Sequence, residues 1–281
     1  MQVADTQIVF GDKNKAAPWY SAEAEISPES RKMLEEYSHI PPEEVQDHVL
    51  TIRDKIWDVF PYPCIGAFHF LDFNLSRRPI YPQMVAKLHE PGAMHLEVAC
   101  CVGQDLRHLV YDGVPSERIV AVELEQGYIE AGYELFRDRE TLKTRFLNAD
   151  MLDEDNAKLN ELEGKFDSAH LGLCLHLWTR EDQMKVLRRV IRLLKQEPGV
   201  VIVGHAAGHA DGVVLPGIFN KPALRHNLES WEKMWADISK DTGTRWKLKT
   251  EMNDGVKPGA KRPSWWDKDW RLLGFEVTRL E

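Results

Sequence analysis

No apolar run in this chain approaches the roughly 20 residues needed to cross a bilayer as a helix. The first residues, Met-Gln-Val-Ala-Asp-Thr-Gln, lack the apolar segment of a secretory signal. A cytoplasmic protein is therefore expected. An excess of base is also missing: 36 Lys and Arg stand against 45 Asp and Glu, a formal net charge of -9. Gripping nucleic acid or an anionic membrane through charge takes a basic stripe, so neither partner is expected. Cysteine is scarce. Cys64, Cys100, Cys101 and Cys174 form no Cys-x-x-Cys pair and no zinc-like spacing, and the default reading is four buried small side chains. His205 and His209 stand four apart, but Gly204, Ala206, Ala207 and Gly208 make a poor helix and no third ligand is near, so no metal is expected. The Gly-x-Gly-x-x-Gly fingerprint of nicotinamide dehydrogenases is absent, which weakens that reading. Internal repeats and low-complexity tracts are absent too.

What remains is an ordinary globular composition, 29% charged and 43% hydrophobic, in a chain of 281 residues. One large α/β domain with additions is expected. Residues 1–26 read as a loose arm ending near Trp19-Tyr20. Ser27-Pro28 is a cap followed by proline at the first helical position, and Met33, Leu34 and Tyr37 give that helix an apolar side. Pro41-Pro42 restarts the chain into a helix with Val45, Val49, Ile52, Ile56, Val59 and Phe60 at helical spacing. Pro61 and Pro63 stop it. Residues 65–73 are aromatic-rich and fit no single element, and Pro82 to Leu88 reads as a short helix. Residues 1–93 are assigned to an N-terminal arm and helical lid, and 94–281 to a ligand-binding domain.

From residue 94 strands and helices alternate, which implies a parallel sheet with crossovers. Strands are expected at 94–98, 118–123, Thr144–Leu147, Asp167–Leu175 and Val200–Val203, with a helix from about Glu181 to Leu194. After Gly204 a polar loop is expected to about Lys221, then a helix from about Ser230 to Asp241. Strands at Trp246–Met252 and Leu273–Leu280 close the chain as an antiparallel pair, joined by a long loop holding Trp265, Trp266 and Trp270.

The first strand carries the most information. It ends at Glu97 and Val98, and a tight small-residue turn then closes on Gly103, where a helix begins. Gly103 can take positive φ, and small residues let a ligand approach the backbone. The second strand ends in Glu123, some twenty residues after the turn, where a carboxylate can accept both hydroxyl protons of a ribose. A nucleoside-cofactor site is expected. For each residue a plainer role competes: Glu97 satisfying turn amides, Glu123 as a solvated strand-end acid, Asp150 as a helix cap.

This order of motifs resembles the class I S-adenosylmethionine-dependent methyltransferases over about residues 94–281. The resemblance implies a Rossmann-like α/β fold, with a seven-stranded sheet whose last strand is antiparallel. The helical extension would precede the sheet, and an insertion would precede the final strand pair. Their common turn is an acid, one apolar residue, then Gly-x-Gly-x-Gly; here Ala99 and Cys101 replace two of the three glycines. Asp150-Met151 after the third strand and Leu175-His176-Leu177-Trp178 after the fourth support the match. A closer resemblance, to a fungal secondary-metabolism family with members in meroterpenoid pathways, spans nearly the whole chain. It rests on Pro41-Pro42-Glu43-Glu44-Val45, Pro61-Tyr62-Pro63-Cys64-Ile65-Gly66, Cys100-Cys101-Val102-Gly103-Gln104-Asp105 and Arg225-His226-Asn227. In that family the Cys-Cys turn is usual, and several members esterify the carboxyl group of farnesylated aromatic polyketide acids.

The resemblance therefore implies S-adenosyl-L-methionine as cofactor, held by Glu97, Cys101, Gly103, Glu123, Leu124, Asp150, Met151, Leu152 and Leu173. The partner is a small-molecule acceptor; the oligomeric state stays open, homodimer included. On the acceptor side, Arg225 and His226 read as a carboxylate clamp and His176 as a group past the fourth strand. Arg77-Arg78 and Lys261-Arg262 are alternatives. Tyr20, Tyr62, Phe68, Phe70, Trp178, Trp265 and Trp266 are candidate lining for a prenyl chain, with core packing as the competing role. The expected function is methyl ester formation. A phenol or alcohol acceptor with a His base, and a non-catalytic nucleoside-binding partner, are the alternatives.

Overall fold

The computed structural model describes residues 10–256 and 261–281. Short segments, almost wholly buried except at the third, form the first five strands: β1 His95–Val98, β2 Ile119–Glu123, β3 Arg145–Asn148, β4 Ser168–Gly172 and β5 Val201–His209. A hairpin, β6 Val213–Pro216 with β7 Pro222–Arg225, precedes the closing strands β8 Trp246–Asn253 and β9 Trp270–Arg279. The main sheet has the order β3-β2-β1-β4-β5-β9-β8. The first five strands are parallel, while β9 runs antiparallel to both β5 and β8. This is the expected seven-stranded sheet. Strand order reverses between β1 and β4, which opens a crevice at their C-terminal ends.

Helices cover both faces, as right-handed crossovers demand. On one face α8 (Arg180–Leu193) and α9 (Leu228–Thr242) bury Leu187, Val190, Trp231 and Trp235 against Leu171, Ile202 and Phe275. On the other, α4 (Tyr81–Leu88) and α5 (Gln104–Tyr111) bury Met84, Leu88, Leu106 and Leu109 against Ala121 and Val203. In the N-terminal part, α1 (Pro28–Lys32) is capped by Ser27, whose Oγ accepts the Ser30 N–H at 3.0 Å. It continues as a π-helical turn, Met33–Tyr37. Helix α2 (Val45–Val59) then packs Val49, Ile52, Ile56 and Trp57 against Tyr128 and Leu135 of α6 (Gln126–Phe136). A short α3 (Pro63–Gly66) and a 3-10 turn, His69–Leu71, occupy the aromatic stretch left unassigned from sequence. Helix α7 (Ala157–Asn160) follows β3.

Three expectations are corrected. The arm is not loose where it is described: Ala17 and Trp19 are buried in the N-terminal core, with Trp19 between Phe10 and Trp265. Residues 1–9 of that arm, and 257–260 of the loop between β8 and β9, lie outside the described residues. The fourth strand is shorter than expected, because Leu173 turns to φ +52 and the chain winds into a 3-10 turn at Leu175–Leu177. The fifth strand is longer, running to His209, and the segment read as loop contains the β6–β7 hairpin. The small residues after Gly204, expected to begin a loop, belong to β5. They are small because neighbours crowd them: a Cβ on Gly204 would meet the Leu171 carbonyl, and one on Gly208 would lie 2.6 Å from the His226 carbonyl.

Among the described residues no helix is long and apolar enough to cross a membrane.

Candidate cofactor and acceptor site

The turn after β1 is built from left-handed backbone. Ala99, Cys101 and Gly103 have φ of +52°, +52° and +66°. An L side chain in that region costs about 1–2 kcal/mol, while glycine is nearly indifferent. These are the three places where glycines stand in the Gly-x-Gly-x-Gly pattern. The chain keeps the backbone form of a glycine turn with glycine at only one of them.

Glu123, at the end of β2, is buried and braces this turn. One carboxylate oxygen accepts the Cys101 N–H at 2.8 Å and the other the Glu125 N–H at 3.0 Å. Burial pushes its carboxyl above the ordinary carboxylate range, against the pull of those amides. The next residue, Leu124, is 55% exposed. Asn148 fixes this strand end by donating to the Glu123 carbonyl at 3.2 Å and the Leu124 carbonyl at 2.6 Å. After β3, exposed Asp150 accepts the Leu152 N–H at 2.8 Å, while Met151 is sunk into the core. After β4, the Leu173 N–H donates to the His205 carbonyl at 2.8 Å. The turn, Leu124, Asp150 and Leu173 therefore follow the C-terminal ends of β1 to β4. An apolar exposed side chain beside a ribose-type carboxylate, above a strained amide-rich turn, fits an adenosine-bearing ligand.

Glu97 does not satisfy the turn amides. Its carboxylate sits between two imidazoles, with His170 Nδ1 at 2.6 Å and His95 Nε2 at 3.3 Å. His95 Nδ1 is 2.8 Å from Ser168 Oγ. Burial raises the Glu97 carboxyl and lowers both histidines. On β5, His205 stacks on His170 with ring centroids 6.1 Å apart, and both its ring nitrogens are buried without a hydrogen-bond partner. Burial holds His205 down at about 3. Sequence reading missed this polar row. Only the alternate placement of His95 with Glu97, and of Ser168 with His170, signals it.

On the acceptor side the structure brings His176 and Arg225 together. His176 lies in the 3-10 turn, and its Nδ1 accepts the Ala207 N–H at 3.2 Å. A neutral ring bonded this way carries its hydrogen on Nε2 and presents a donor. Burial, then the charge of Arg225, keeps His176 well below the usual histidine range. Arg225 ends β7, which is tied to this turn by the Leu224 N–H and Trp178 carbonyl at 3.0 Å. Its Nε is buried without a partner, and its guanidinium makes no ion pair among the described residues. Burial lowers it only to about 10, so it stays cationic at neutral pH.

His226 is the correction. Its Nδ1 is 2.9 Å from Ser230 Oγ and its Nε2 is 3.0 Å from Gln183 Oε1, so both nitrogens are spent inside the fold. It anchors the insertion to α8 and α9 and offers nothing to a ligand. The other basic pairs are also engaged: Arg77 with Glu29 at 3.0 Å, Arg78 with Glu251 at 2.6 Å, and Arg262 with the Asp267 and Trp270 carbonyls. Lys261 is exposed.

Of the candidate aromatics, Phe68 and Phe70 are core, Tyr20 is tied to Asp54 at 2.6 Å, and Trp178 packs against the sheet core. Tyr62 and Trp265 are partly buried, against Phe60 at 4.5 Å and Trp19 at 6.0 Å between ring centroids. Trp266 stacks on Trp270. From the insertion, Phe219 reaches Phe60 at 5.8 Å. Phe60, Trp19 and Phe219 were not anticipated.

Burial pushes all four thiols up, Cys64 to about 12 and Cys100 and Cys101 well above 9, so none is a thiolate nucleophile at neutral pH. His209 lies within 4.8 Å of Asp267 and Asp269, the one such His and acid cluster among the described residues. It is not the His205 and His209 pair considered from sequence.

The sheet order and the turn after β1 define a class I S-adenosylmethionine-dependent methyltransferase. The profile of the meroterpenoid methyltransferase N-terminal domain matches residues 19–71, and that of a methyltransferase domain matches residues 96–197. The O-methyltransferase atr3 of Stereocaulon alpinum is 42% identical over 270 residues, covering 95% of this chain and 77% of that protein. The asnovolin E/chermesin D methyltransferase nvfJ of Aspergillus novofumigatus is 35% identical over 221 residues, covering 78% and 79%. Among solved structures, a Burkholderia thailandensis 1,6-didemethyltoxoflavin N1-methyltransferase with S-adenosylhomocysteine bound shares the fold. Its TM-score is 0.50 at 16% identity, over 86% of this chain and 92% of that one. The chain belongs to the fungal secondary-metabolism O-methyltransferases, the family that includes the meroterpenoid methyltransferases. Its cofactor is S-adenosylmethionine.

Proposed function

We propose that this enzyme forms a methyl ester on the carboxyl group of a small, largely apolar acid, of the farnesylated aromatic polyketide type. The observation that carries this reading is Arg225: a largely buried guanidinium with no ion partner among the described residues, beside an imidazole that presents a donor. Two donors of that kind suit a carboxylate, which a guanidinium grips with parallel bonds. The nvfJ enzyme is named for asnovolin E and chermesin D, and the matching N-terminal family is that of meroterpenoid methyltransferases, which supports the apolar acceptor class. Phe60, Tyr62, Trp265 and Phe219 would lie along a prenyl chain.

S-adenosylmethionine, when bound, supplies an electrophilic methyl group on its sulfonium. Glu123 would accept the ribose hydroxyls, Leu124 would lie against the adenine, and Asp150 with the Met151 and Leu152 backbone would meet the adenine edge. Gly103 and Cys101 would offer backbone to the methionine part, with Glu97 behind them and Leu173 beneath. A carboxylate acceptor is already ionised at neutral pH, so no base is required and the protein's task is alignment. His176 cannot serve a phenol well as a base. Its Nδ1 lone pair is occupied by Ala207, and its surroundings disfavour the protonated ring.

The test is Arg225→Gln, assayed with a farnesylated dihydroxybenzoic acid. Loss of a charge-assisted pair is expected to raise KM by about tenfold or more, with a smaller change in kcat. Arg225→Lys keeps the charge without the fork and should recover only part. An unchanged KM in a folded Arg225→Gln variant contradicts the assignment.

A further inference from the structure

The strained turn has a brace that its sequence motif does not include. Arg107, on the first helical turns of α5, is fully buried. Its NH1 donates to the Val102 carbonyl at 2.7 Å and the Gly103 carbonyl at 3.3 Å. Its Nε and NH2 hold both oxygens of Asp138, at 2.7 and 3.0 Å. Asp138 follows Arg137, the left-handed cap of α6, and is itself buried. It also accepts the Tyr37 hydroxyl at 2.8 Å, from the π-helical turn of the N-terminal part. The guanidinium carbon lies 4.8 Å from the Phe136 ring centroid, so this ion pair is walled by apolar groups.

A buried ion pair is a poor device for stability alone, because desolvation offsets most of the attraction. Its value lies in fixed geometry. Here that geometry is spent on the Val102 and Gly103 carbonyls, either side of the left-handed Gly103 and directly after the left-handed Cys101, in a turn where the other two glycines are missing. We propose that Arg107, held by Asp138, is the positioning residue of the cofactor turn: it keeps the left-handed backbone at Ala99, Cys101 and Gly103 in place of the missing glycines. Through Tyr37, the seating of the N-terminal helices bears on the same clamp. This rests on the turn's role toward the cofactor and is independent of the acceptor.

The experiment measures the dissociation constant for S-adenosylhomocysteine by calorimetry, alongside the melting temperature. Arg107→Lys and Asp138→Asn are expected to raise the constant by about tenfold, as for loss of a charge-assisted pair. Adding Ala99→Gly and Cys101→Gly to Arg107→Lys should recover most of the affinity, and the gain should exceed that of the same glycines in the wild-type background. Tyr37→Phe removes one bond to Asp138 and should raise the constant two- to fivefold, a milder test should the Arg107 variant not fold. A lower melting temperature with unchanged affinity in these variants overturns the proposal. Lost affinity that the glycines do not recover overturns it too.

Discussion

Glu123→Ala weakens S-adenosylmethionine binding by about 10- to 150-fold, the range of a lost charge-assisted hydrogen bond. Two losses coincide. The carboxylate proposed to hold the ribose disappears, and the Cys101 and Glu125 amides lose their acceptor. The first removes a direct contact; the second frees a turn already strained at Ala99 and Cys101. Titration calorimetry on the folded variant is the measurement. Unchanged affinity would remove Glu123 from the site, and with it the reading of Leu124 as the adenine face.

Mild acid should destabilise this protein before most of its carboxylates are protonated. His205 and His226 are held neutral by burial, at about 3 and about 4. A group whose folded pKa is depressed below its unfolded value of about 6.5 costs stability as pH falls below that unfolded value, because the unfolded chain takes up the proton first. Between pH 7 and pH 5 each of these two histidines removes about 2 kcal/mol. His95, His170 and His176 are shifted in the same direction and add to the loss. Asp105 opposes it. Burial raises its carboxyl to about 6, so the native state takes up that proton earlier and regains about 1 kcal/mol over the same interval. Glu97 and Glu123 act in the same sense as Asp105. For His205, His226 and Asp105 together the balance is a loss of about 3 kcal/mol, or roughly 6–12 °C in melting temperature for a chain of this size. Scanning calorimetry at pH 7 and pH 5 checks it. A melting temperature that holds or rises on acidification contradicts the buried neutral histidines.

The sheet was legible because its strands are short apolar runs punctuated by turns, and because Glu97, Gly103 and Glu123 fall where a nucleotide-binding crossover needs them. Its edges were less so. The pattern after Gly204 reads as a loop, yet β5 needs small residues at Gly204 and Gly208 to pass the Leu171 and His226 carbonyls. The hairpin carrying Arg225 is held by contacts to Trp178 that no local pattern announces. Arg225 and His226 are adjacent in sequence, but β7 ends at Arg225 and His226 lies beyond it against α8 and α9, so among the described residues one guanidinium makes no ion pair while the neighbouring imidazole is fully satisfied. Only the structure separates a guanidinium without an ion pair from a packing imidazole. The Arg107 clamp was invisible for the same reason: its partners lie 31 residues away at Asp138 and further still at Tyr37.

The central claim is that the transferred methyl ends on a carboxyl oxygen. The direct measurement uses S-adenosylmethionine labelled in its methyl group with a farnesylated dihydroxybenzoic acid as acceptor, followed by mild alkaline treatment of the purified product. An ester surrenders its label as volatile methanol and returns the free acid, which is the result expected here. Label that stays with the aromatic product after alkali marks an ether, and that result would move the acceptor from the carboxyl to a hydroxyl group.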